Sequence, residues 1–226
     1  ILSHCLEPLE MLSDEQVAAF VKEPPERENL IKSLKDNRPI TIGALDLQDY
    51  YFEHKRQEAQ GMFNALKVIP EIGKEFAKTF GREYGFFEEY QLADADVAVV
   101  VLGSTAGTAK EVVDRLRAKG MKAGLLKIMV YRPFPSSFLS SALSKVKAIA
   151  VLDRAEGMSG VSGPLYPEIC AALYDAPARP EIINYIYGLG GRDILIEDIE
   201  FIYKELFQVA EKGKKGYTLK YVGVRE

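Results

Sequence analysis

Between Asp94 and Pro135 the chain reads DADVAVVVLGSTAGTAKEVVDRLRAKGMKAGLLKIMVYRPFP. An apolar run of strand length, Val97 to Leu102, leads into a glycine-bearing turn and an amphipathic helical stretch. A second apolar run and a proline-marked break follow. This is a β-α-β unit, and it constrains the fold more than any other feature. Two strands joined by a helix lie parallel, because only a long crossover returns the chain to the same end of the sheet. The rhythm continues to the end. Strands are expected near 96–102, 122–128, 147–152 and 181–187, and helices near 106–119, 136–144, 163–174 and 198–211. Apolar runs alternating with amphipathic helices give an α/β parallel sheet covered on both faces.

The first ninety or so residues follow a different pattern. Ile1 is not preceded by a methionine, and Ile1 to Met11 reads as the tail of an element that begins elsewhere, so the chain is expected to be a piece of a longer protein. Ser13-Asp14-Glu15-Gln16, ahead of Val17, Ala18 and Phe20, has the spacing of a capping box and predicts a short helix. Lys22 to Pro39 is charged, contains Pro24-Pro25 and is expected to be an exposed connector, and Ile40 to Leu45 is β-like. From Asp49 to Phe80, apolar residues recur at helical spacing, with Pro70 expected to kink or divide the helix. Tyr84, Phe86, Phe87 and Tyr90 then form an aromatic patch, read as packing or as an interface. The tail from Lys212 to Glu226 is expected to lie on a neighbour.

Composition excludes several classes. A net charge of -4 argues against a nucleic-acid surface, which needs clustered Lys and Arg. No apolar run approaches the ~20 residues of a membrane span, and no signal-peptide organisation is present, so a cytoplasmic location without membrane contact is expected. Two separated cysteines, Cys5 and Cys170, suit a reducing compartment and fall short of the roughly four thiolates of an iron–sulfur cluster. With only His4 and His54, there is little material for a histidine metal site or triad.

Four loops follow the four expected strands and therefore share one edge of the sheet. Gly103, Ser104, Thr105 and Gly107 form a turn at a helix N-terminus, read either as an anion or cofactor contact or as a tight turn with Ser or Thr capping the helix. The spacing is neither GxGxxG nor GxxxxGKS, which removes the standard nucleotide fingerprints. Arg132, between Tyr131 and Pro133, is placed to grip an anion or to pair across an interface. Asp153, Arg154 and Glu156 open the third loop, and Gly190, Arg192 and Asp193 lie in the fourth, as interface or substrate-channel residues. No nucleophile–base pair or metal cluster is legible, so no residue is assigned a catalytic role and no metal ligand is named.

Several short motifs in order resemble the alpha subunits of the 2-oxoacid:ferredoxin oxidoreductase family, most closely the pyruvate type. They are Ile1-Leu2-Ser3-His4, Asp49-Tyr50-Tyr51, Phe80-Gly81-Arg82-Glu83-Tyr84-Gly85, Gly103-Ser104 with Gly107-Thr108-Ala109, and Arg132-Pro133-Phe134-Pro135. Val151-Leu152-Asp153-Arg154, Gly163-Pro164-Leu165 and Gly188-Leu189-Gly190-Gly191-Arg192-Asp193 complete the set.

The resemblance implies that 93–226 is a transketolase C-terminal-like domain, 1–20 the end of a truncated pyrimidine-binding-type domain, and 21–92 a connector with a helical segment. It implies a complex containing thiamine diphosphate with Mg, [4Fe-4S] clusters and CoA, none held by this chain alone. Beta, gamma and delta subunits and ferredoxin would be partners in a hetero-oligomer that converts a 2-oxoacid to acyl-CoA. Asp46-Leu47-Gln48 departs from the Gly/Pro-bearing pattern of that family, which leaves oxalate or a branched 2-oxoacid open as substrate. The rival readings are a stand-alone α/β module binding a small anion or CoA, and a thiamine enzyme of the transketolase or branched-chain dehydrogenase type.

Overall fold

The computed structural model describes residues 10–21, 43, 45–213, 216 and 218–225. These fall into two compact units that divide between Glu83 and Tyr84. The readings of residues 1–9, of the connector 22–39, and of 40–42 and 44 in the β-like stretch lie outside the described residues.

In the first unit, helix α1 (Asp14–Val21) starts where the capping box requires. The Gln16 amide donates to the Ser13 hydroxyl at 3.3 Å, and the Gln16 side-chain oxygen accepts from the Ser13 amide at 2.9 Å. Helix α2 (Tyr51–Phe80) is one continuous element of 30 residues with Pro70 inside it. The expected division at Pro70 does not occur. The apolar spacing continues on both sides of the proline, and Phe20 of α1 packs on Phe76 and Phe80 beyond it, with ring centroids 5.4 Å from each. Gly81 ends the helix in the left-handed conformation at φ 72°, its amide closing on the Ala77 carbonyl at 2.9 Å.

The second unit is built on six strands: β1 (Phe87–Tyr90), β2 (Val97–Leu102), β3 (Ala123–Ile128), β4 (Ala148–Asp153), β5 (Glu181–Ile186) and β6 (Leu219–Tyr221). Their spatial order is β1-β3-β2-β4-β5-β6. Every pairing is parallel except that of β1 with β3, so the expected α/β parallel-sheet class holds, with an antiparallel edge added. That edge strand falls in the aromatic patch. Phe87 pairs with Ile128 and Tyr90 with Leu125, a register set by β3. Within the tail, Leu219–Tyr221 forms β6 of the chain's own sheet, with Tyr221 beside Ile186.

Helices α3 (Thr105–Ala118), α4 (Ser136–Leu143), α5 (Leu165–Leu173) and α6 (Ile196–Lys212) cover the sheet. Odd positions of β2, Val97, Val99 and Val101, face a core built with α3 and α6, where Ile199, Ile202, Tyr203 and Leu206 are buried. Even positions Ala98 and Val100 face the other layer, closed by Leu139 and Leu143 of α4 and by Leu165 and Ile169 of α5. Burial on both faces explains why the central strands are uninterrupted apolar runs rather than alternating ones. Each fully buried Val, Leu or Ile contributes about 1.5–3 kcal/mol to this packing.

Candidate functional site at the carboxyl edge of the sheet

From β2 the chain steps to β3 on one side, and then β4 enters on the other side of β2. The gap between the carboxyl ends of β2 and β4 is therefore a topological switch point, the position where open α/β sheets leave a crevice for ligands. A cleft of about 320 Å³ lies there, with Gly103, Ser104 and Thr105 on one side, Asp153 and Arg154 on the other, and Tyr187 at its flank.

The first wall is shaped by Gly103, whose φ of 72° favours a residue without a β-carbon. Neither candidate cap serves α3. Ser104 occupies the N-cap position without a side-chain capping bond. The Thr105 hydroxyl is instead 2.8 Å from the Tyr187 hydroxyl, joining the start of α3 to the segment after β5. Gly107 is exposed on the first turn of α3, with open space where a β-carbon would stand.

The second wall separates two neighbours of different character. Asp153 is buried, and its carboxylate faces inward: it accepts from the Leu165 amide at 2.8 Å, the Tyr166 amide at 3.3 Å and the Asn184 side chain at 2.9 Å. It therefore caps α5, and burial pushes its carboxyl above the ordinary aspartate value despite these bonds. Arg154 is exposed; its Nε donates to the Gly188 carbonyl at 3.2 Å. Burial likewise raises the Tyr187 phenol, an effect that the Thr105 hydrogen bond and the Arg154 charge oppose.

The remaining candidates are distributed along the same edge. Glu156 accepts from the Tyr221 hydroxyl, which ties the β4 loop to β6. Arg192 donates to the Gly223 carbonyl, and Gly190 lies in a short helical turn, Leu189–Gly191, with φ 65°. Asp193 and Arg132 are exposed, Arg132 beyond β3 and outside the residues lining the cleft. The structure thus gathers Gly103, Ser104, Thr105, Asp153 and Arg154 around one cleft. Arg132, Glu156, Gly190, Arg192 and Asp193 are exposed and do not line it.

Sequence reasoning passed over Asn184 and Tyr187. Asn184 is fully buried in β5, where its oxygen accepts from the Gly163 amide at 2.7 Å and its nitrogen donates to the Val151 carbonyl at 3.0 Å and to Asp153. A polar residue in the apolar stretch Glu181–Ile186 was the available signal. A larger cleft of about 610 Å³ beside β6 offers less chemistry, because its acid, Glu205, is taken by the Tyr185 hydroxyl at 2.6 Å and by Lys220. Among the described residues, no group of three His, Cys, Asp or Glu side chains is placed to hold a metal ion. No helix among them is long and apolar enough to cross a membrane.

Fold and edge together define a doubly wound, mainly parallel α/β domain whose loops converge on a switch-point cleft. Residues 95–199 match the family model described as pyruvate:ferredoxin oxidoreductase core domain II. Pyruvate synthase subunit PorA of Thermotoga maritima is 47% identical over 227 residues, covering 100% of this chain and 56% of the relative. The subunit of the same name from Methanothermobacter thermautotrophicus is 38% identical over 100% of this chain and 55% of its own length. Ketoisovalerate oxidoreductase subunit VorA of Pyrococcus abyssi is 40% identical over 95% of this chain and 53% of its own. The chain belongs to the pyruvate:ferredoxin oxidoreductase family. It spans about half the length of the curated relatives it matches.

Proposed function

We propose that this chain is part of the alpha subunit of a thiamine-dependent 2-oxoacid:ferredoxin oxidoreductase acting on pyruvate. The observation that carries this reading is the 47% identity to a pyruvate synthase subunit across the entire chain. The overall reaction would combine pyruvate with CoA, release carbon dioxide, form acetyl-CoA and deliver two electrons to ferredoxin. Thiamine diphosphate, when bound in such an enzyme, supplies the carbanion chemistry of decarboxylation.

The described residues of this chain do not fit those cofactors on their own. Two cysteines fall short of the roughly four thiolates of a cluster, and no described carboxylate group is arranged for Mg. Its own contribution is then structural. The sheet unit acts as a transketolase C-terminal-like scaffold, and the exposed residues Arg132, Glu156, Arg192 and Asp193 meet other parts of the enzyme in a hetero-oligomer with beta, gamma and delta subunits. In this reading 1–20 closes a preceding domain and 21–92 connects it to the scaffold.

A second reading, a branched 2-oxoacid as substrate, is favoured by the 40% identity to a ketoisovalerate oxidoreductase subunit. Reconstitution tests both. The complete complex should reduce ferredoxin only when pyruvate and CoA are supplied, and this chain alone should not. Turnover by the isolated chain would sink the scaffold role. A higher kcat/KM for 2-oxoisovalerate than for pyruvate would reassign the substrate.

A further inference from the structure

We propose that the switch-point cleft between β2 and β4 is a binding site for a small phosphate-bearing molecule, gripped by Arg154. This goes beyond the oxidoreductase reading, and its test does not depend on turnover.

The carrying observation is the state of one guanidinium. Arg154 lines the cleft, and its Nε is fixed on the Gly188 carbonyl at 3.2 Å. Gly188, at φ 65°, permits this contact, since a β-carbon there would stand 2.9 Å from that Nε. The side chain is thereby held across the end of the sheet, while its two terminal amino groups have no partner among the described residues. Arg117 is used differently, giving one amino group to Asp94 at 2.8 Å and the other to the Gln91 carbonyl at 2.5 Å. A guanidinium fixed by one nitrogen and open at the other two is oriented in advance for two-point contact with an oxyanion.

The surroundings favour an anion. The nearest acids are engaged elsewhere: the Asp153 carboxylate is turned into the core, and Glu156 is bound by Tyr221. Across the cleft, Ser104 carries a hydroxyl that caps nothing, and the Thr105–Tyr187 hydroxyl pair lies at the flank. Donors on more than one side suit the tetrahedral oxygens of a phosphate better than a planar carboxylate, which one guanidinium satisfies. The volume, about 320 Å³, is at the small end of ligand pockets, which span roughly 300–1,000 Å³. A short phosphate ester or a diphosphate group fits that space better than a whole dinucleotide.

The test is calorimetric titration of the full 226-residue chain with inorganic pyrophosphate, and separately with oxalate, at low ionic strength. Saturable pyrophosphate binding is expected, weakened at least about tenfold by Arg154→Gln and unchanged by Arg179→Gln. Circular dichroism checks that each variant folds. Ser104→Glu, which adds a negative charge at an exposed position, should also abolish binding and gives a second reading if Arg154→Gln misfolds. Absence of saturable pyrophosphate binding at millimolar concentration overturns the proposal. So does binding indifferent to both variants, and so does oxalate binding more tightly than pyrophosphate.

Discussion

Asn184 donates its side-chain amide to the Asp153 carboxylate at 2.9 Å, joining the carboxyl ends of two adjacent strands inside the core. Through Asp153 the contact continues to the first amides of α5, and through the Asn184 oxygen to Gly163. One buried pair therefore sets where the third edge loop leaves the sheet and where it returns. Replacing Asn184 by Leu strands the Gly163 amide and removes one partner of a buried acid. The expected loss is about 3 kcal/mol, read from the midpoint of urea unfolding at constant m-value.

Asp153 also gives the fold a pH signature. Burial raises its folded carboxyl above the unfolded value of about 3.9, so protonation favours the folded state. Its contribution is fully present below the unfolded value and is lost as pH rises through the raised folded one. Carbon-detected NMR should find Asp153 titrating above an ordinary aspartate. A carboxyl titrating at or below about 3.9 would refute the burial account.

Two glycines on the same edge should respond oppositely to alanine. A β-carbon at Gly163 would overlap the Asp153 side chain, whereas Gly107 has open space around it on a helix. Gly163→Ala is expected to destabilise by about 1–3 kcal/mol. Gly107→Ala should be neutral or stabilising by up to about 1 kcal/mol. Thermal unfolding of both variants beside the parent checks the contrast.

Thr105 and Tyr187 form a testable couple across the sheet, both buried with their hydroxyls 2.8 Å apart. Tyr187→Phe leaves the Thr105 hydroxyl without that partner and should cost about 1–2 kcal/mol. Thr105→Val should cost a similar amount. The double variant should lose less than the sum, and a double-mutant cycle showing strict additivity would exclude the interaction.

Much of the fold was legible because its signals are local. The runs Val97–Leu102, Ala123–Ile128 and Ala148–Asp153 are apolar enough to be strands only in a sheet buried on both faces, and the intervening amphipathic stretches are the crossovers. The Ser13–Gln16 box announced α1 in four residues. The family motifs, read in order, pointed to the relatives that the chain proved to match. The four edge loops were also foreseeable, because parallel strands point all their exits one way.

Other features existed only once distant segments met. Phe87 to Tyr90 becomes a strand by pairing with β3, and Leu219 to Tyr221 by pairing with β5; neither segment is long enough to declare itself. Asp153 and Arg154 are adjacent in sequence and similar as candidates. Both line the cleft, but the carboxylate of the first is taken up as a helix cap, whereas the guanidinium of the second keeps two amino groups open, because successive side chains at a strand end point to opposite sides. Local patterning was enough to specify the strands, the crossovers and the edge on which the loops gather. Which charges on that edge are satisfied inside the protein and which stay open was a matter of folding, since it depends on Asn184, Gly163 and Gly188 arriving beside residues far from them in the chain.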